Sequence, residues 1–224
     1  MTPIKKFNST IVVVTIAIMY FLCLYINNIL QISKENVLVI AVLGVFTSFG
    51  FYRFLSQVLN WLLQKIRFVK KIILGDRFLE GTWIGFYVGA GGEIRYFYET
   101  YEQTLDGIWI SGYSFKEDKT IHGKWKASNP IIDCENKKII YYYETDMLRN
   151  LHINQGFASF TLEKRDNNKF FNKMIGFSSD IYNPTKLLAI EEKVSEVILA
   201  DENSILQKAD EIYNRNKHIL PKTP

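Results

Sequence analysis

Residues 79–128 read LEGTWIGFYVGAGGEIRYFYETYEQTLDGIWISGYSFKEDKTIHGKWKAS, and this stretch decides the fold. Short runs rich in β-branched and aromatic residues are broken by turn signals: Gly89-Ala90-Gly91-Gly92, Asp106-Gly107 and Glu117-Asp118. Such breaks favour hairpins between antiparallel neighbours. They predict strands over 79–88, 93–104, 107–116 and 119–128. The same pattern continues downstream, with strands expected over 137–146, 155–164 and 171–182. There the breaks are Asn129-Pro130, Glu135-Asn136 and Asp166-Asn167-Asn168. Residues 78–182 hold 21 of the chain's 33 aromatics. That concentration marks an all-β unit with an aromatic interior.

Residues 186–195, KLLAIEEKVS, fit two patterns. Leu187, Ile190, Val194 and Val197 suit a helix. Leu188, Ile190 and Val194 suit an alternating strand, with Glu192 as the exception. As an eighth strand the segment closes a lipocalin-like barrel against the first, removing the open edges of the meander. Residues 202–217 then read as a short helix with Ile205, Ala209, Ile212 and Asn216 on one stripe and Asp201 as its N-cap.

The N-terminal third is of another kind. No charged residue occurs from Phe7 to Ser33, and residues 11–30 read IVVVTIAIMYFLCLYINNIL. Twenty helical residues cover a hydrocarbon core about 30 Å thick. A polar connector, Ser33-Lys34-Glu35-Asn36, precedes a second apolar run to Leu63, interrupted by Arg53. The pattern predicts a two-helix transmembrane hairpin with spans over about 11–32 and 37–59. A signal peptide fits less well, because the first run is long and lacks a small-x-small cleavage site. Lys5 and Lys6 flank one end of the hairpin, and Lys65, Arg67, Lys70 and Lys71 the other. The positive-inside rule therefore puts both ends and the barrel in the cytoplasm. Residues 61–74 form a basic amphipathic stretch suited to anionic lipids. The domains are expected at 1–76 (anchor), 77–195 (ligand-binding barrel) and 196–224 (C-terminal helix and tail).

Charge divides the chain at the same place. Residues 1–77 hold 9 Lys/Arg and 2 Asp/Glu, a charge of +7; residues 78–224 hold 18 and 21, a charge of −3. A domain with that balance does not coat duplex nucleic acid, which needs clustered cations on the folded face. The two cysteines, Cys23 and Cys134, exclude a disulfide framework. His122, His152 and His218 have neither metal-ligand nor triad spacing, and no G-x-S-x-G, Walker or H-E-x-x-H sequence occurs. No catalytic residue, metal site or cofactor is expected. The glycine run at 89–92 leads into a strand rather than a helix, so it reads as a hairpin turn and not a phosphate-cradling loop.

Strand alternation then offers candidate ligand contacts. Trp83 facing inward brings Gly81, Gly85 and Tyr87 with it. Ile121, Gly123, Trp125 and Ala127 share a face, leaving His122 outside. Trp109, Ser111 and Tyr113 share another, and the second strand is aromatic on both faces. An eight-stranded barrel holds side chains or one small ligand. A flat aromatic surface with a cation suits a nucleobase bearing phosphate. Arg95 is the candidate phosphate contact, either in that role or paired outside with Glu93 or Glu99. Trp83, Tyr87, Tyr98, Trp109, Tyr113 and Ser178 complete the expected site.

The opening 79–87, LEGTWIGFY, directly after a two-helix anchor, and 176–180, GFSSD, in the seventh strand resemble the two-transmembrane β-barrel effectors of bacterial CBASS (cyclic-oligonucleotide-based antiphage signalling). The resemblance covers roughly residues 1–195 and implies a non-enzymatic role. A cyclic di- or oligonucleotide from a partner CD-NTase cyclase binds the barrel. The proteins then self-associate in the inner membrane and disrupt it, and the infected cell dies. It assigns no binding residue and gives the C-terminal helix no part.

Overall fold

The computed structural model describes residues 3–30, 44, 49–59, 61–62, 66–89, 91–146, 153–182, 184–197 and 202–220. The chain divides into two compact units, 1–74 and 75–224.

In the first unit α1 runs over Pro3–Leu30. Its segment Lys5–Leu22 is long and apolar enough to cross a membrane. Val13, Ile16, Tyr20, Phe21 and Tyr25 are all exposed on it. Residues 49–59 are helical as well, but 36–43 and 45–48 lie outside the described residues, so about half of the expected second span does too. Among the described residues one helix, not two, qualifies as a candidate span. The basic stretch ends in a short helix, α2 (Arg67–Leu74), with Phe68 and Ile72 exposed.

The second unit is a closed antiparallel barrel. Its strands are β1 (Gly81–Val88), β2 (Ile94–Gln103), β3 (Ile108–Phe115), β4 (Ile121–Ser128), β5 (Ile131–Asp133), β6 (Lys138–Asp146), β7 (Ile153–Glu163), β8 (Lys173–Asp180) and β9 (Leu187–Ser195). Each pairs with its neighbour in the order β4-β3-β2-β1-β9-β8-β7-β6-β5. Two contacts close the ring. The ambiguous segment is a strand, β9, seated between β1 and β8. β4 pairs with β6, from Lys124↔Asp146 to Ala127↔Tyr143. The sequence reading has no counterpart of β5. After the break at Asn129, whose φ is 51°, β5 pairs with the other half of β6, Ile131↔Ile140. Eight strands thus form the barrel and β5 is an extra piece along it.

The glycine run makes the β1–β2 hairpin as expected: Gly89 N–H donates to the Glu93 carbonyl at 2.8 Å and Gly92 N–H to that of Gly89 at 2.9 Å. At the opposite end the barrel is plugged. Phe78, Leu79, Trp83, Tyr101, Leu162 and Phe171 are buried there. The Trp83 indole N–H donates to the Leu79 carbonyl at 2.9 Å, and the Gln103 carboxamide oxygen accepts from Leu79 N–H at 2.8 Å.

The last helix, α3 (Glu202–Asn216), packs on the outside of the barrel. Ile205, Ala209, Ile212 and Asn216 are all buried, the stripe expected from the sequence. They meet Ile84, Phe86 and Ile190 on the outer faces of β1 and β9. Beside them Glu192 accepts from Arg165 at 3.0 Å, Arg215 at 2.5 Å and Asn216 at 3.1 Å. The residue that breaks the alternation of β9 therefore anchors α3 to the barrel. The expected cap, Asp201, lies outside the described residues.

Candidate functional site

Above the plugged base the barrel interior opens into a cavity of about 290 Å³. Its mouth lies at the end that carries the β1–β2, β3–β4 and β8–β9 turns. Glu93, Arg95, His122, Ser178 and Asp180 stand toward that mouth; Phe97, Trp125, Tyr141, Tyr143 and Phe160 make the walls; Glu99 is at the floor.

Two of the aromatics are seated by glycines on the neighbouring strand. Gly112 on β3 faces Trp125 across the β3–β4 pair, and Gly156 on β7 faces Tyr143. A Cβ at Gly112 would overlap the Trp125 indole, and one at Gly156 the Tyr143 ring. Small residues on one strand thus let a ring from the next lie flat along the wall. Phe97 and Trp125 meet at 5.9 Å between ring centres, and Tyr87 and Phe97 at 6.1 Å.

Arg95 faces the cavity and is paired there with Glu93. Its guanidinium donates to Glu93 at 2.9 Å. The Glu93 carboxyl is lowered by hydrogen bonds to backbone N–H groups and by the Arg95 guanidinium. His122 lines the same cavity, its pKa lowered by burial and by the charges of Arg95 and Lys116. It is neutral at pH 7 and can donate or accept. Tyr143 OH donates to Asp180 at 2.9 Å. Burial and the Asp180 charge hold that phenol protonated well beyond its ordinary range.

Glu99 is 2% exposed and takes three donors: Trp125 Nε1–H at 2.7 Å and Tyr141 OH at 2.9 Å on Oε1, and Tyr101 OH at 2.8 Å on Oε2. Burial raises its pKa and the three donors pull it back. Glu191, on the inner face of β9 with Ala189, is 0% exposed, and neither of its oxygens has a hydrogen-bond partner. Burial, and then the nearby Glu99 charge, raise its pKa well above the ordinary carboxylate range. Of the two acids Glu191 holds the proton, because nothing donates to it.

Of the residues expected in the site, Arg95, Tyr87 and Ser178 line the cavity. Trp83 is inside the barrel but buried in the plug, its ring 5.6 Å from that of Tyr101. Tyr98, Trp109 and Tyr113 are corrected: they are on the outer surface. Tyr98 stacks on Tyr113 at 5.3 Å, and Trp109 is 47% exposed. Tyr98 faces out because Phe97, Glu99 and Tyr101 take the inner face of β2; Trp109 and Tyr113 face out because of the parity of β3. Ile108, Ile110, Gly112 and Ser114 take its inner face, where the rings of other strands need room. A reading that turns the largest side chains inward picks the opposite face.

His122 is corrected the other way. The β3–β4 register shifts between Ser114 and Phe115, from Ser114↔Gly123 to Phe115↔Ile121. That irregularity brings His122 to the cavity although strict alternation puts it outside. Glu99, Trp125, Tyr141, Tyr143 and Asp180 were not expected as contacts. Trp125 carried a signal, since it shares an apolar face with Gly123 and Ala127. Glu191 carried one too: placing Glu192 under α3 forces its neighbour inward.

No protein-family profile matches the chain, and no curated protein does. Among solved structures it is similar to a de novo designed fluorescence-activating β-barrel, with a TM-score of 0.36 and 12% identity over 53% of this chain and 96% of that one. It is also similar to a biogenic amine-binding protein, with a TM-score of 0.39 and 14% identity over 59% of this chain and 72% of that one. The barrel assignment rests on the strand pairings rather than on these likenesses.

Proposed function

We propose that the protein is a membrane-anchored effector whose barrel binds a cyclic di- or oligonucleotide. The N-terminal apolar segments, as a two-span anchor in the bacterial inner membrane with the barrel on the cytoplasmic side, then self-associate and disrupt the membrane. The chain performs no covalent chemistry, and its messenger comes from a CD-NTase cyclase. The observation that carries this reading is the cavity itself. Aromatic walls suited to stacking a base lead to a rim bearing Arg95, on a chain that also bears an exposed apolar helix. A volume of about 290 Å³ takes one base, so the phosphates of a multi-base ring stay at the rim beside Arg95 and neutral His122. Ligand shifts the assembly only as far as it binds one state better than the other.

Calorimetry with the full chain in detergent and a panel of cyclic nucleotides tests the reading. Arg95→Ala is expected to weaken binding by about 1.5–3 kcal/mol, the worth of a charged hydrogen bond. No binding of any cyclic nucleotide by the wild-type protein overturns it. A carboxylate in the second apolar run, Gly44→Glu, costs several kcal/mol in a membrane. It is expected to abolish toxicity while leaving binding intact.

A second reading, a membrane-anchored carrier of a small ligand, draws on the cavity's charge. Glu93, Glu99 and Asp180 outnumber Arg95 along its lining. That lining suits an organic amine better than a lipid tail.

A further inference from the structure

We infer that the floor of the cavity reads the buried end of the ligand and selects an edge carrying amino N–H donors, with Glu99 as acceptor and Glu191 as its neutral neighbour. In the nucleotide reading, on which this inference rests, the favoured occupant is an amino-bearing base such as guanine, and the disfavoured one is uracil.

The acceptor is built and oriented. Trp125 and Tyr141 take Oε1 of Glu99, and Tyr101 takes one direction on Oε2. A carboxylate has about four lone-pair sites, so one direction on Oε2 remains. Trp125 and Tyr141 also wall the cavity and Glu99 is part of its lining, so a flat ring entering between the walls brings its edge to that carboxylate.

The second observation is Glu191. Buried polar groups nearly always find a partner, and a buried carboxyl with none is costly. Glu191 is fully buried on the same inner face as cavity-lining Ala189, with both oxygens unpartnered.

The charges around the pair leave it short of positive partners. β2 contributes Glu99 and Tyr101, β6 contributes Tyr141, and β1 contributes Tyr87. β8 faces Glu191 with Met174, which does not titrate. On β9 itself Lys193 is two residues away, with its ammonium over the Phe78 ring at 4.6 Å and the Trp83 ring at 5.9 Å. Arg95 is at the rim with Glu93. A phosphate is repelled from this floor, and an edge of N–H donors is attracted to it. Guanine presents N1–H and its exocyclic amino group side by side. Uracil presents one N–H between two carbonyl oxygens, which face a carboxylate unfavourably. Donors arriving at Glu99 hold its negative charge, and that charge keeps the proton on Glu191.

The shared chemistry is a cluster of N–H donors, which a free amidine also carries, so the test includes one. The full chain in detergent micelles is titrated calorimetrically with cyclic di-GMP, cyclic di-UMP and benzamidine. Wild type is expected to bind cyclic di-GMP at least tenfold more tightly than cyclic di-UMP, and Glu99→Gln to shrink that preference below threefold. Equal binding of the two dinucleotides, or a preference untouched by Glu99→Gln, overturns the inference while the nucleotide reading stands. Glu99-dependent binding of benzamidine with no binding of either dinucleotide upholds the floor chemistry and overturns the nucleotide reading. Binding of none of the three overturns both.

Because Glu99→Gln can disturb the buried network, Glu191→Gln supplies a separate measure. It keeps the shape of the neutral acid, and it is expected to leave the preference for cyclic di-GMP over cyclic di-UMP within threefold of wild type at pH 7. Loss of the preference in Glu191→Gln would make Glu191 the acceptor and overturns the role of Glu99.

Discussion

The base of the barrel and its mouth are made by the same eight strands, yet they obey different rules. At the base, inward residues of β1, β2, β7 and β8 are Trp83, Tyr101, Leu162 and Met174, each buried. Tyr101 spends its hydroxyl on Glu99. At the mouth the same strands present Tyr87, Arg95, Gly156 and Asp180. The strand alternation is unchanged from one end to the other, and only the chemistry of the inward positions changes. A barrel can thus separate the half that holds it closed from the half that holds a ligand, along a single axis.

The sharpest way to break that division is to attack the base. Trp83→Ala removes a fully buried ring that packs on Tyr101 and donates to the Leu79 carbonyl. Replacing a buried aromatic by alanine costs about 3–5 kcal/mol, a large share of a typical stability of about 5–15 kcal/mol. The thermal midpoint of the full chain in detergent is expected to fall steeply. A midpoint within a degree or two of wild type would mean that the base is not where the barrel is held.

Much of this division was legible in the sequence, and the illegible parts have physical causes. Alternation on β1 and β4 named Trp83 and Trp125 as inward, because each shares its face with small or apolar residues. It failed on β3, where Gly112 and Ser114 are inward so that Trp125 and Tyr87 have room; which neighbour needs that room is a fact of pairing, not of one strand. It failed at His122 because a register shift between two hairpin partners leaves no mark on either strand alone. The stripe of α3 was readable because it repeats at helical spacing against an apolar outer face. The Glu191–Glu192 pair needed both facts together: a strand at 187–195 and a helix covering one side of it.

Glu191 sharpens the comparison from within, since it is a mouth-type group set at base depth. Its folded-state pKa is raised by burial above the 4.5 of a free glutamate. The sign follows from linkage. The neutral form belongs to the folded state, so the stability of that state is fully present below pH 4.5 and is lost as the pH rises through the unfolded value toward the folded one. Glu99, raised in the same direction, adds to the slope. Glu191→Gln keeps the shape of the protonated acid and cannot ionise. Thermal midpoints measured from pH 4 to pH 8 are expected to coincide with wild type at the acid end. The variant should then be increasingly the more stable of the two toward pH 8. A constant offset across that range would mean that Glu191 does not carry the proton.

The smallest effect is expected where the barrel's outer surface carries the same kind of residue as its base. Trp109 sits on β3 next to inward-facing Ile108 and Ile110, but its ring is 47% exposed and faces away from the barrel axis. It pairs across the sheet with Glu102 and Ser128 rather than with another ring. An exposed side chain away from any buried network changes stability by no more than about 0.5 kcal/mol when replaced. Trp109→Ala is therefore expected to shift the thermal midpoint by about two degrees at most and to leave ligand affinity within twofold. Trp83 and Trp109 are both tryptophans in an aromatic-rich strand, and composition alone gives them equal weight. The pairing register separates them: Trp83 shares its face with the plug, while Trp109 is one residue out of phase with the interior. A large loss of binding in Trp109→Ala at unchanged stability would place the ligand on the outer wall near β3, β4 and β6. It would also dissolve the distinction between base and mouth as the organising feature of this barrel.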